Sequence, residues 1–208
     1  MFTGIIEEVG VVKRVEKKGG VITLTILAEK ISSSLGLGGS IAVDGVCLTV
    51  VEISPPLFKV DVSRPTQLTT TLGKAFPGRR VNLERPLTLD KPLGGHFVTG
   101  HVDAKGKILK KGGGEEFPLE ISYPEALFPY LVVKGSIAVD GVSLTIQKLE
   151  KDRFSTHIIP HTAENTILGE KKVGEEVNLE VDFLARYLKK WWEEEKEKRD
   201  FEEMLKNW

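Results

Sequence analysis

GSIAVDGVCLTV at residues 39–50 returns as GSIAVDGVSLTI at residues 135–146. Ten of the twelve positions are identical, eight of them consecutive, and the offset is 96 residues. The same offset carries Thr3-Gly4 onto Thr99-Gly100, Gly10 onto Gly106, Thr66 onto Thr162, Leu72-Gly73 onto Leu168-Gly169 and VNLE 81–84 onto VNLE 177–180. Chance similarity between strands does not give eight identities in a row, so the chain is a tandem duplication. A period this long is a domain, not a solenoid unit. The copies are expected at 1–86 and 97–181, joined by the Pro/Gly-rich LTLDKPLGGH at 87–96.

Each copy reads as short strands between turn residues. VITLTIL (21–27), CLTVVEI (47–53) and LFKVDV (57–62) are rich in β-branched residues, with counterparts LEIS (119–122), SLTIQKL (143–149) and RFSTHII (153–159). About six strands per copy without long helices predicts an all-β protein of two tandem six-stranded Greek-key β-barrels. PTQLTTTL, HTAENTIL and YPEALFPYLV are short helical candidates, the last broken by Pro129. From 182 to 208 the pattern changes. There is no Pro or Gly, 15 of 27 residues are charged, and Leu184, Tyr187, Trp191, Phe201, Leu205 and Trp208 follow helical spacing, with Glu194 and Lys198 interrupting. This predicts a C-terminal amphipathic helix for oligomerisation.

With 29 basic and 30 acidic residues the formal charge is −1, which argues against nucleic-acid binding. Cys47 is the only cysteine, so an intrachain disulfide is excluded. The opening MFTGIIEEVG lacks the layout of a secretory signal and no apolar run suits a membrane span. A soluble, cytoplasmic protein is expected.

Comparing the copies separates what they share from what they do not. Cys47 aligns with Ser143, Ile5 with His101, Gly38 with Lys134, Pro65 with His161 and Pro86 with Asp182. Most of the extra titratable groups therefore fall in the second copy and the lone thiol in the first. Asp44 and Asp140 precede glycine and suit tight turns. His96 and His101 are five apart without further suitably spaced ligands, so no metal is expected. Cys47 aligns with a polar residue, which favours a site-facing position over a core one. His96 could cap or orient; Asp182 could be a helix N-cap, a site residue or both.

Taken with MFTGII, GGHFVTGHVD (94–103), IIPHT (158–162) and VNLEVD (177–182), these segments make the chain resemble the riboflavin synthase family over essentially its whole length. Two features depart from the family pattern: Pro65 stands where an acidic residue is commoner, and Asp44 where Asn is frequent. The resemblance implies a transferase that dismutates two molecules of 6,7-dimethyl-8-ribityllumazine. A four-carbon unit passes between them, giving riboflavin and 5-amino-6-ribitylaminouracil without cofactor or metal. It also implies a homotrimer joined by the C-terminal helices, with the active pair between the first barrel of one subunit and the second of its neighbour. Association with lumazine synthase is a further partner it suggests.

By the same resemblance, ligand contacts lie in three segments of each copy. In the first these are Gly4, Ile5 and Ile6; Cys47, Leu48 and Thr49; and Asp61, Val62, Ser63, Arg64, Pro65 and Thr66. In the second they are Gly100, His101 and Val102; Ser143, Leu144 and Thr145; and His157, Ile158, Ile159, Pro160, His161 and Thr162, with Lys134 added. The chemistry is expected of Cys47, His101, Ser143, Thr145 and Asp182. The reaction begins by removing an acidic 7-methyl proton, for which histidine has a suitable pKa. His101 is the candidate base, with Ser143 and Thr145 as relays. Cys47 could add to the partner ring as thiolate, though water or a ribityl hydroxyl could do the same. Asp182 and Lys134 could stabilise charge or hold the ribityl chain. A non-catalytic lumazine carrier of the same fold is the competing reading; it needs one pocket and no asymmetry between copies.

Overall fold

The computed structural model describes residues 1–113 and 117–206, with side chains through Arg199. In the first copy β1 (Glu8–Lys18), β2 (Val21–Leu27), β3 (Ser40–Val43), β4 (Val46–Ser54), β5 (Leu57–Val62) and β6 (Arg80–Glu84) form a closed barrel. The order is β1-β2-β5-β4-β3-β6, all antiparallel, and β6 returns to β1. Alternation drives the closure. Leu24, Ile26, Ile41, Phe58, Val60 and Leu83 turn inward and are essentially buried. Each such aliphatic or aromatic side chain stabilises by about 1.5–3 kcal/mol on burial.

The second copy comprises β7 (Ala104–Lys111), β8 (Phe117–Ser122), β9 (Ser136–Val139), β10 (Val142–Thr145), β11 (Lys148–Leu149), β12 (Arg153–Ile158) and β13 (Glu176–Val181). It is a curled seven-stranded sheet ordered β10-β9-β13-β7-β8-β12-β11, where six strands were expected. The extra strand is an interruption, not an insertion. β4 carries a register shift between Val50 and Glu52, and the equivalent stretch, Ile146–Lys148, parts β10 from β11. Gln147 N still donates to Ser155 O at 2.8 Å and Thr156 Oγ1 to Thr145 O at 2.8 Å, so chain and hydrogen bonds run on across the gap.

Three helices complete the fold: α1 (Arg64–Thr69), α2 (Pro160–Asn165) and α3 (Phe183–Lys206). The segment 125–130 is a 3-10 turn that includes Pro129. Asp182 caps α3: its Oδ1 accepts from Leu184 N at 3.0 Å. Leu184, Tyr187, Leu188, Trp191 and Trp192 are exposed on α3. The other expected apolar positions fall outside the description: the side chains of Phe201 and Leu205, and Trp208 altogether.

A pseudo-two-fold relates the barrels, and its central contacts occur twice. Phe2 and Val98 exchange backbone hydrogen bonds of 2.7 and 3.0 Å. Asn82 Nδ2 donates to Asp140 O at 2.9 Å while Asn178 Nδ2 donates to Asp44 O at 2.8 Å. Their amide oxygens accept from Ile167 N and Thr71 N, both at 2.8 Å and both from the opposite barrel. Asp44 and Asp140, at φ 48 and 44, start the D-G turns anticipated from sequence. They are also fully buried at this interface, which a turn role alone does not require. Arg79 pairs with Asp44 at 2.7 Å and Lys171 with Asp140 at 3.3 Å.

Burial raises Asp44 to about 6; Arg79 opposes the rise and Asp140 adds to it. The folded state thus holds this proton more tightly than the unfolded chain. The carboxylate costs stability above about pH 6, and the cost fades as pH falls toward 4. Asp44→Asn keeps a turn-forming residue and loses the titration. Its melting temperature relative to the parent is expected to be higher at pH 8 than at pH 5, the two differences separated by the equivalent of roughly 1–3 kcal/mol. A pH-independent difference would show that Asp44 does not titrate in this range.

Candidate functional site

Alternation sorts the expected site residues into two groups. On β4, Cys47 and Thr49 point out of the barrel while Leu48 enters the core; on β10, Ser143 and Thr145 point out and Leu144 enters. Asp61 and His157 are exposed on β5 and β12, whereas the next residues, Val62 and Ile158, are core. Leu48, Val62, Leu144 and Ile158 can therefore offer a ligand only backbone. Asp61 accepts from Thr23 Oγ1 at 2.6 Å. Ser63 caps α1 and shares a 2.9 Å hydrogen bond with Thr66 Oγ1, so Arg64, Pro65 and Thr66 stand in the first turn. In the second copy, Ile159 is the N-cap position and Pro160, His161 and Thr162 open α2.

The structure joins these segments across the two copies. Gly4–Ile6 does not join Cys47. Ser143 N donates to Gly4 O at 2.8 Å, and Ile6 packs on the second barrel's core. Reciprocally, Cys47 N donates to Gly100 O at 2.9 Å and Val102 packs on the first barrel's core. Each barrel's site is therefore completed by a segment of the other copy: Cys47 with Gly100–Val102, Ser143 with Gly4–Ile6. Only glycine permits the approach. A Cβ on Gly4 would lie 2.6 Å from that of Ser143, and one on Gly100 2.5 Å from that of Cys47, both at positive φ. His101, exposed, follows Gly100 in the first-barrel group. A groove of about 510 Å³ beside it runs between Thr99–Asp103 and Phe183, Arg186, Tyr187 and Lys190 of α3.

In the second-barrel group the prominent contact is one that repeat comparison undervalued. His96 Nδ1 lies 2.7 Å from Ser143 Oγ. Gly95 makes room, since a Cβ there would fall 2.2 Å from Thr3 O and 2.8 Å from the Ser143 Cβ. His96 is buried, and its Nε2 has no hydrogen-bond partner among the described residues. Burial lowers the His96 pKa, and the charge of Asp182 partly opposes this. A neutral ring next to a serine hydroxyl can take its proton, and the nearby carboxylate favours the imidazolium that results. Asp182 thus caps α3 and also bears on His96.

Lys134 has φ +71, a left-handed backbone for which its twin uses glycine, Gly38 at φ +75. Its Nζ donates to Gln147 Oε1 at 2.8 Å. A lysine kept at a glycine position costs of order 1 kcal/mol and suggests a task for the side chain.

Two buried carboxylates escaped the sequence reading. Glu84 accepts from Thr3 N and Oγ1, both at 2.7 Å, and from Gly4 N at 3.1 Å. Glu180 does the same for Thr99 N (2.6 Å), Thr99 Oγ1 (2.7 Å) and Gly100 N (3.0 Å). Burial raises both pKa values against these hydrogen bonds. The available signal was the last letter of VNLE, an acid that returns at the 96-residue offset beside buried Leu83 and Leu179.

The lumazine binding domain family matches the chain twice, at residues 3–86 and 99–182. The riboflavin synthase of Bacillus subtilis (strain 168) is 44% identical over 191 residues, 90% of this chain and 88% of that protein. The riboflavin synthase of Mycobacterium bovis is 46% identical over 195 residues, 91% and 97% of the two chains. Among solved structures, LumP complexed with riboflavin superposes with a TM-score of 0.82 at 26% identity, covering 87% of this chain and 99% of that one. LumP complexed with 6,7-dimethyl-8-(1'-D-ribityl) lumazine gives 0.79 at the same identity. Duplicated sequence, paired barrels and relatives of matching length agree: the chain belongs to the riboflavin synthase family, built from two lumazine binding domains.

Proposed function

We propose that the chain catalyses the dismutation of two 6,7-dimethyl-8-ribityllumazine molecules into riboflavin and 5-amino-6-ribitylaminouracil, the last step of riboflavin biosynthesis. The observation that carries this reading is a pair of sites alike in backbone and unlike in chemistry. One has Cys47 beside Gly100–Val102; the other has Ser143 beside His96 and Gly4–Ile6. A reaction between two copies of one substrate needs such a division, because one copy loses the four-carbon unit that the other gains.

At the second-barrel site, Ser143 with His96 behind it suits removal of the 7-methyl proton. His96, whose pKa burial lowers, stands 2.7 Å from the hydroxyl that would pass it the proton. At the first-barrel site, Cys47 is the group suited to add to the opposing ring, with His101 placed to exchange protons there. Thr145 and Thr49, exposed next to these residues, suit hydrogen bonding to the ring edge, and Lys134 suits the ribityl chain. Much of the acceleration is then juxtaposition of two rings in register, worth on the order of 7–11 kcal/mol. The apolar side chains exposed on α3 support self-association through that helix; the reading includes a homotrimer in which the first barrel of one subunit meets the second of its neighbour, and a cytoplasmic setting.

The direct test mixes purified chain with the lumazine and a chelator and follows both species. One riboflavin should appear for every two lumazines consumed. Saturable binding without riboflavin would make the chain a carrier instead.

A further inference from the structure

The segment Thr99–Asp103 reaches out of its own copy to complete the first-barrel site, and a carboxylate holds it at each end. Glu180, 3% exposed at the end of β13, takes the backbone N–H of both residues that precede His101, and the Thr99 hydroxyl as well. That hydroxyl in turn accepts from His101 N at 3.2 Å. At the other end Asp103 Oδ2 accepts from Val181 N at 2.9 Å, and Asp103 N donates to Leu179 O at 2.8 Å. Asp103 Oδ1 is ion-paired with Arg186 of α3. Between these clips Gly100 O accepts from Cys47 N and Val102 packs on the first barrel's core.

The twin segment is held in the same way. Glu84 takes Thr3 and Gly4, and Glu7 accepts from Arg85 N at 3.0 Å. The counter-ions differ. Glu7 is paired with Arg85 and Lys91, in and near the linker, whereas Asp103 is paired with the C-terminal helix. A buried carboxylate costs stability unless its oxygens are matched by donors. Among the described residues the donors to Glu180 belong to the two residues ahead of His101.

We propose that Glu180 and Asp103 are positioning residues that present His101 and Val102 to the first-barrel site, with Arg186 extending that hold into the C-terminal helix. The helix is then part of the site's framework in addition to any part in assembly. The proposal rests on the enzymatic reading above and on His101 acting at that site.

Glu180→Gln keeps the volume but turns one acceptor into a donor facing N–H groups. Displacement of His101 by an ångström is expected to lower kcat by on the order of 10²-fold. Equilibrium binding of lumazine, followed by fluorescence, should change by less than about threefold, since the second-barrel site is untouched. The deciding measurement is a double-mutant cycle with His101→Ala. If Glu180 acts through His101, the second substitution should add almost nothing to the first. Should Glu180→Gln fail to fold, Arg186→Gln takes its place. This residue is largely exposed, and kcat should fall by about threefold to tenfold with sedimentation unchanged. That loss too should vanish in the His101→Ala background. Losses that multiply, or parental kcat in the folded variant, would overturn the proposal. A separate readout is alkylation of Cys47, the only thiol, which should quicken in Glu180→Gln as Gly100 loosens over it. If the parent makes no riboflavin, faster alkylation in Glu180→Gln would keep the positional claim and reject the enzymatic reading, and unchanged alkylation would reject both.

Discussion

His96→Gln is expected to reduce riboflavin formation by about 10²–10³-fold while lumazine binding stays within a few-fold of the parent, because a general base acts mainly in the transition state. Glutamine can still hydrogen-bond Ser143 but cannot accept its proton. The substitution therefore separates proton transfer from packing, which His96→Ala, with its cavity, would not. Ser143→Ala should lower turnover to a similar level. The double variant should be little worse than either single one, as residues acting in one unit are not additive. The acidic limb of the parental kcat profile should report the ring. Burial keeps its pKa below 6.5, so turnover should persist into mildly acidic solution. Asp182→Asn removes the opposing charge and should move that limb to lower pH. Parental turnover in His96→Gln would end the assignment and return attention to His101.

The second large effect is a recovery. Cys47→Ala and Ser143→Ala chains should each turn over poorly alone. If the productive site lies between the first barrel of one subunit and the second of its neighbour, mixing them should restore activity. A Ser143→Ala chain supplies an intact first-barrel site, a Cys47→Ala chain an intact second-barrel site. Random assortment at equal concentrations predicts roughly a quarter of parental turnover. A mixture no more active than its components, with subunit exchange verified by mass, would place the working pair of rings within one chain.

The duplication made most of the fold legible. An unbroken 96-residue offset needs no structural model of either copy to reveal two like domains, and period-two alternation placed β2, β4 and β5 within a residue or two of where they lie. Splitting of β10 from β11 was not legible, because a bulge depends on how the sheet bends around Gln147 and leaves no mark in hydrophobic pattern. The candidate site was legible as segments but not as groups. Alignment of the copies shows which residues correspond; it is silent on whether Gly4 faces its own Cys47 or the other copy's Ser143. Backbone contact across a pseudo-two-fold decides that. His96 was undervalued for a related reason. It belongs to the linker side of the repeat and has no informative twin, so comparing copies gave it little weight, although Gly95 before it is what leaves room beside Ser143.

The exchange of Gly4–Ile6 and Gly100–Val102 between barrels is, in form, a domain swap carried out inside one polypeptide. A half-molecule cut at the linker would own an unfinished site and a short arm with nothing of its own to complete. Two such halves would finish each other by trading arms about a true two-fold axis, in the contacts the full chain makes about its pseudo-axis. A single barrel could therefore have worked only as a pair. Joining the pair end to end is what allowed the two arms, and the thiol and hydroxyl they lie against, to become different from one another.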